Sequence, residues 1–183
     1  MTAPQIAFDL APNCWRIADG DAEALCRRAV RAAAAALPGL DLAGWELGLT
    51  ITDDRAIRAL NRDHRGLDRP TNVLSFPLDM PAPGGDAPDR NRPPGGLLGD
   101  IVLSGETVLR EADSLGRTPA DHLTHLAVHG MLHLLGYDHG TASEAARMEQ
   151  MEIAILAGLG VANPYAGSHE AGPPLEHLEL ENA

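Results

Sequence analysis

Apolar and polar letters alternate through WELGLTIT at residues 45–52, the period of a half-buried strand. QIAFDL at 5–10 has the same extended pattern. TNVLSFP at 71–77 is β-branched and apolar and reads as a strand closed by Pro77, and LLGDIVLS at 97–104 reads as a further strand. Between them the period changes to that of helices. After a turn at Asp19, Gly20 and Asp21, AEALCRRAVRAAAAAL predicts an alanine-rich helix ending near Pro38 and Gly39. DRAIRALNRDHR predicts a shorter helix capped by Asp53 or Asp54 and stopping before Gly66. Another follows over about 105–115. Thr118 as cap and Pro119 in first position open a helix that runs to about Leu135. A last amphipathic helix starts at Ala142 or Ser143 and runs to about Leu159, with Met148, Met151, Ile155 and Leu159 on one face. Strands alternating with helices, then helices in succession, predict an α+β fold, a small mixed sheet with helices packed on it. Strand order cannot be read from these letters.

A chain of 183 residues with 44% hydrophobic letters supports one core, so residues 1–165 are expected to form a single unit. Within it, DMPAPGGDAPDRNRPPGG at 79–96 has little to pack and predicts a flexible loop. After Tyr165 the letters AGSHEAGPPLEHLELENA predict a disordered acidic tail over 166–183. No apolar stretch approaches the roughly 20 residues that span a bilayer. The first residues lack the charged start and apolar run of a secretory signal, so the expectation is a soluble, cytoplasmic protein without membrane contact. Cys14 and Cys26 have eleven residues between them and form no CxxC pair, which predicts ordinary reduced thiols. The formal charge is −12, and all fourteen basic residues are arginine. Bulk electrostatics therefore oppose a polyanionic partner unless a local basic patch receives it.

The chemistry concentrates in HGMLHLLGYDH at residues 129–139. His129 and His133 are four apart on a predicted helix, so they project from one face about 6 Å apart and can grip one ion. Gly136 supplies a permissive backbone that stops the helix and lets the chain bring His139 round as a third ligand. Three neutral imidazoles suit zinc at roughly 2.0–2.1 Å and leave a fourth position open, the feature that separates catalytic from structural sites. A lone histidine is usually a surface or core residue; here five of the chain's eight histidines fall between 122 and 139, three at ligand spacing. His125, four residues before His129, is either an extra ligand or a hydrogen-bonder behind one. Asp138 either orients a ligating imidazole or is a turn aspartate. The peptidase pattern HExxHxxGxxH carries its general base directly after the first histidine, where this chain has Gly130. That weakens a peptidase reading. A phosphodiester substrate, whose charge a metal would neutralise, depends less on a protein base.

Arg55, Arg58, Arg62, Arg65 and Arg69 are spaced 3, 4, 3 and 4 apart, with only Asp63 and Asp68 as acids among them. Alone, such a stripe is most simply a solvated helix face. In a chain at −12 it is also the best candidate for a phosphate-binding patch. Stacking aromatics are scarce, with two each of Trp, Tyr and Phe; Phe76 and Tyr137 lie near these motifs, as platforms or as core.

With these pieces in order, the chain resembles the YbeY family of bacterial single-strand-specific metallo-endoribonucleases. The resemblance covers about residues 45–165 and rests on LNRDHRGLDRPTNVLSFP at 60–77, LLGDIVLS at 97–104, HGMLHLLGYDH at 129–139, MEQMEIAILAGLG at 148–160 and NPY at 163–165. It implies a zincin-like α+β fold whose active-site helix carries HxxxHxxxxxH. It implies one Zn2+ ion on His129, His133 and His139, and makes Arg65 the arginine associated with activity. Many relatives have aspartate where this chain has Asn72. The implied substrate is single-stranded RNA, in particular the 3′ end of small-subunit ribosomal RNA, with ribosomal subunits or their proteins as partners and a role in ribosome quality control. A zinc peptidase, and a ribosome-assembly factor whose zinc only stabilises the fold, are the alternatives. Oligomeric state is not implied.

Overall fold

The computed structural model describes residues 3–11, 21–37, 39–78 and 95–166. Four strands, β1 (Gln5–Leu10), β2 (Trp45–Thr52), β3 (Val73–Pro77) and β4 (Gly96–Ser104), form one sheet. Five helices accompany it: α1 (Ala22–Ala35), α2 (Asp54–Arg65), α3 (Gly105–Ser114), α4 (Pro119–Leu134) and α5 (Ala142–Leu159). The strand order is β1-β2-β4-β3, with β1, β2 and β4 parallel and β3 an antiparallel edge strand. The α+β architecture and mixed sheet expected from the sequence are present. The expected loop over 79–96 lies outside the described residues except for Gly95 and Gly96, and the expected tail lies outside them after Ala166.

Local chemistry sets the helix ends. Asp53, not Asp54, caps α2 by accepting from Ala56 N at 2.8 Å. Asp54 instead ties α2 to α3, accepting from Thr107 Oγ1 at 2.7 Å and from Arg110 Nη1 at 2.7 Å. Gly66 takes a left-handed conformation (φ 73°) and ends α2 directly after Arg65. Thr118 caps α4 with Pro119 in its first turn, and Thr141 with Glu144 forms a reciprocal capping box on α5.

The core lies between one sheet face and the helices. Leu47, Leu49, Ile51, Ile101 and Leu103 point inward against Cys26, Ala29, Val30 and Ala33 of α1 and Leu123, Ala127, Val128 and Met131 of α4. Cys26 is a free thiol inside it, and burial pushes its pKa up to about 12. Helix α4 is the hub, packed against α1, α3, α5, β3 and β4, and its side chains are buried on nearly every side. Where it crosses β3 and β4 it carries Gly130. A Cβ there would meet Ile101 Cγ2 at 2.9 Å and Ser75 Oγ at 3.1 Å, closer than the packed sheet allows. Ser75 Oγ donates to Gly130 O at 3.2 Å, so the strand's side chains reach the helix backbone with no helix side chain between them. No helix among the described residues is long and apolar enough to cross a membrane.

Candidate metal centre

The last two turns of α4 present His129 and His133 on one face. Helical bonding then ends: Gly136 (φ 83°) turns the chain, with Gly136 N donating to His133 O at 2.9 Å and Tyr137 N to Leu132 O at 3.0 Å. Asp138 fixes the next residue by accepting from His139 N at 2.8 Å, and the third imidazole swings back toward the helix. Nitrogens of His129, His133 and His139 all lie within 4.8 Å of one another, and the Nε2 atoms of His129 and His133 are 3.0 Å apart. The three predicted residues are therefore brought together, and the group can hold a metal ion. Among the described residues no carboxylate or thiolate joins it.

The electrostatics favour neutral rings at His133 and His139. Burial pulls the pKa of His133 down from 6.5 to about 3, helped by repulsion from His129 and His139. Burial also lowers His139, again with His129 opposing its charge. A neutral imidazole keeps the lone pair that a metal needs.

Sequence reasoning missed what stands behind His129. Glu152 lies on the buried stripe of α5 with Met148, Ile155 and Leu156, its side chain 1% exposed. Its Oε1 accepts from His129 Nδ1 at 2.8 Å, and its Oε2 accepts from His125 Nε2 at 2.8 Å. Burial alone would raise this carboxyl, but the hydrogen bonds from His125 and His129 prevail and hold it below the usual carboxylate range. Since a carboxylate only accepts, His129 carries its proton on Nδ1 and turns the Nε2 lone pair toward His133. His125 is thus the hydrogen-bonder of the two roles the sequence left open. The only available signal was an acid at apolar spacing on an amphipathic helix, and in isolation that reads as a helix edge.

Two further placements refine the expectations. His122, one turn before His125 on α4, pairs through Nε2 with Glu111 at 2.8 Å, and Asn72 Nδ2 donates to the same carboxylate at 3.0 Å. An aspartate at position 72 would face Glu111 as an acceptor opposite an acceptor, so asparagine suits this chain. The arginine stripe separates into two parts. Arg58 forms a two-pronged pair with Asp68 at 2.8 Å and Arg62 pairs with Asp63 at 2.8 Å, both exposed and screened. Arg65 alone is half-buried, and burial lowers its pKa while Asp138 opposes the shift. Its charge is also felt by His133. Among the described residues no hydrogen bond engages its guanidinium.

Acidification should expose this arrangement in the metal-free chain. The lowered pKa of His133 means that the unfolded chain takes up a proton first, so stability is full above pH 6.5 and falls as pH drops toward about 3. Glu152, also lowered, adds a loss of the same sign below its ordinary 4.5. Chemical denaturation from pH 8 to pH 4 should show a midpoint that falls steadily below about pH 6.5; a flat profile would contradict a partly buried His133 that resists protonation.

A mixed sheet edged by an antiparallel strand, crossed by a helix bearing HxxxHxxxxxH, defines the zincin-like class of α+β proteins. The solution structure of TM1509 from Thermotoga maritima shares the fold, with a TM-score of 0.50 and 20% identity over 92% of this chain and 98% of that one. The chain belongs to the YbeY endoribonuclease family: the family described as Endoribonuclease YbeY matches residues 14–160. A protein of that description from Rhodopseudomonas palustris (strain BisB5) is 50% identical over 166 residues, 89% of this chain and 82% of that protein. One from Rhodospirillum rubrum is 48% identical over 181 residues, 94% of this chain and 86% of that protein.

Proposed function

We propose that this chain is a cytoplasmic, single-strand-specific endoribonuclease that uses one Zn2+ held by His129, His133 and His139, with Arg65 at the scissile phosphate. Its substrate is the 3′ end of small-subunit ribosomal RNA, its partners are ribosomal subunits, and the reaction serves rRNA maturation and ribosome quality control. The observation that carries the reading is the convergence of three imidazoles beside a half-buried guanidinium without a hydrogen bond among the described residues. Family membership supports the nuclease activity.

Bound zinc would supply Lewis acidity, polarising a phosphoryl oxygen and making water or a ribose hydroxyl more acidic. The chain's own groups do the rest. Glu152 holds His129 in the tautomer that leaves Nε2 free. Arg65, partly desolvated, offers two parallel N–H donors to the non-bridging oxygens as charge builds on them. The peptidase alternative needs a general base near the metal, and no carboxylate joins the three imidazoles among the described residues.

Metal analysis paired with cleavage of single-stranded RNA before and after chelation tests the reading. Activity should vanish on chelation and return with zinc. Cutting that survives complete metal removal would overturn it. Arg65→Ala should keep its metal and lose about 10²–10³-fold in kcat; unchanged cutting would remove Arg65 from the reaction, and a parent chain that holds zinc but cuts no RNA would favour the assembly-factor alternative. A 2′,3′-cyclic phosphate at the product end would identify the ribose hydroxyl as the nucleophile.

A further inference from the structure

A buried carboxylate persists only where donors surround it. Glu152 has a third donor besides His125 and His129, and it comes from outside the helices. Tyr165 OH donates to Glu152 Oε2 at 2.5 Å. Tyr165 lies beyond Gly160, where α5 ends and where the family match ends too. The segment that delivers it is tied down along its length. Arg28 of α1 donates to Leu159 O at 2.6 Å, Val161 N donates to Leu156 O at 2.9 Å, and Arg117, between α3 and α4, donates to Pro164 O. Pro164 is buried, and Tyr165 packs its ring edge-on against His125 with centroids 5.9 Å apart.

The geometry has a directional consequence. A glutamate held at one oxygen can still turn about its last torsion, which is broad and shallow. Here Oε2 is held by donors from two directions, His125 from α4 and Tyr165 from the segment after α5, so Oε1 is left one place, against His129 Nδ1. His125 cannot do this alone, because its own Nδ1 is buried without a partner among the described residues and its ring is held by a single bond. We infer that residues 161–165 form a strap whose Tyr165 hydroxyl, acting through Glu152, sets the orientation and tautomer of His129. Tyr165 and Glu152 are positioning residues for the metal centre, and the inference rests on the metal site proposed above.

The test uses the full chain and three readouts that do not depend on RNA cleavage. Nitrogen–proton correlation NMR of the metal-free chain reads the His129 tautomer, competition with a coloured chelator reads zinc affinity, and thermal melting reads the fold. In the parent chain the proton should sit on Nδ1. Glu152→Gln offers one acceptor oxygen and adds a donor, so it cannot accept from all three groups. Its His129 should become a tautomer mixture and its zinc affinity should fall about 10- to 100-fold. Tyr165→Phe removes one donor and should weaken zinc binding about 5-fold, with a smaller tautomer shift. Unchanged tautomer and affinity in both variants would overturn the strap. So would lowered melting with the tautomer intact, since that marks a structural role only. Should Glu152→Gln not fold, Tyr165→Phe decides by the same readouts. A parent chain that binds no zinc would sink the metal reading instead, while the tautomer comparison would still judge the strap.

Discussion

A His133→Ala chain should fold, lose its tightly held metal and cleave single-stranded RNA at least about a thousandfold more slowly. The expected fold change in affinity exceeds that for a supporting residue, since removing a partner behind a ligand already costs about 10- to 100-fold. His133 sits at the site-facing edge of α4, whereas the helix is anchored by Leu123, Ala127, Val128 and Met131. Shortening His133 therefore removes a donor without opening the core. It also removes a ring that would have to stay neutral on acidification, so the metal-free variant should be less acid-sensitive than the metal-free parent. Metal content by mass spectrometry, melting of both metal-free chains and RNA cleavage measure the three claims. Full zinc occupancy in the variant would remove His133 from the ligand set. A variant that fails to fold would favour a zinc that serves only the structure.

Gly130→Glu, which restores the peptidase letter, should destabilise the protein and create no peptidase. The first added atom already meets Ile101 Cγ2 at 2.9 Å, and Ile101 is fully buried in the sheet. The remaining atoms would carry a charge into the buried contact between α4 and β3–β4. An uncompensated buried charge costs about 3–5 kcal/mol, and in a chain of this size that lowers the melting temperature by roughly 10 °C or more. Gly130→Ala separates the two contributions. It gains up to about 1 kcal/mol of helix propensity and suffers overpacking of about 1–3 kcal/mol, so it should be mildly destabilised and remain active. A Gly130→Glu chain that melts like its parent would show that the helix can lift off the sheet. The missing acid thus has a packing cause besides the charge of a phosphodiester substrate: α4 lies too close to the strands at this point to admit a side chain.

The sequence made the elements legible because each is punctuated locally. Thr118 and Pro119 open α4, Gly66 and Gly136 stop helices where they occur, and the alternation in WELGLTIT is that of β2. The three histidines were legible for the same reason, since i, i+4 spacing and a following glycine are local facts. Strand order was not, because the insertion of β4 between β2 and β3 depends on parallel pairing across long stretches of chain. Nor was Glu152. Its three donors come from residues 125, 129 and 165, which only the packing of α5 on α4 brings together. The arginine stripe shows the converse. The regular spacing of the five gave no ground for choosing among them, and the choice of Arg65 came from family resemblance. In the structure the difference lies in neighbours: Arg58 and Arg62 face acids, while Arg65 ends its helix at Gly66 beside His133 and Asp138.

The route by which the three imidazoles meet also bears on how readily they close. His129 and His133 surrendered their relative freedom when α4 folded, whether or not an ion is present. His139 hangs from the turn after Gly136, where two backbone bonds back to α4 and the Asp138 side chain already hold it within reach of the other two. Folding thus does most of the ordering that a chelate demands, and little entropy is left to be lost on coordination.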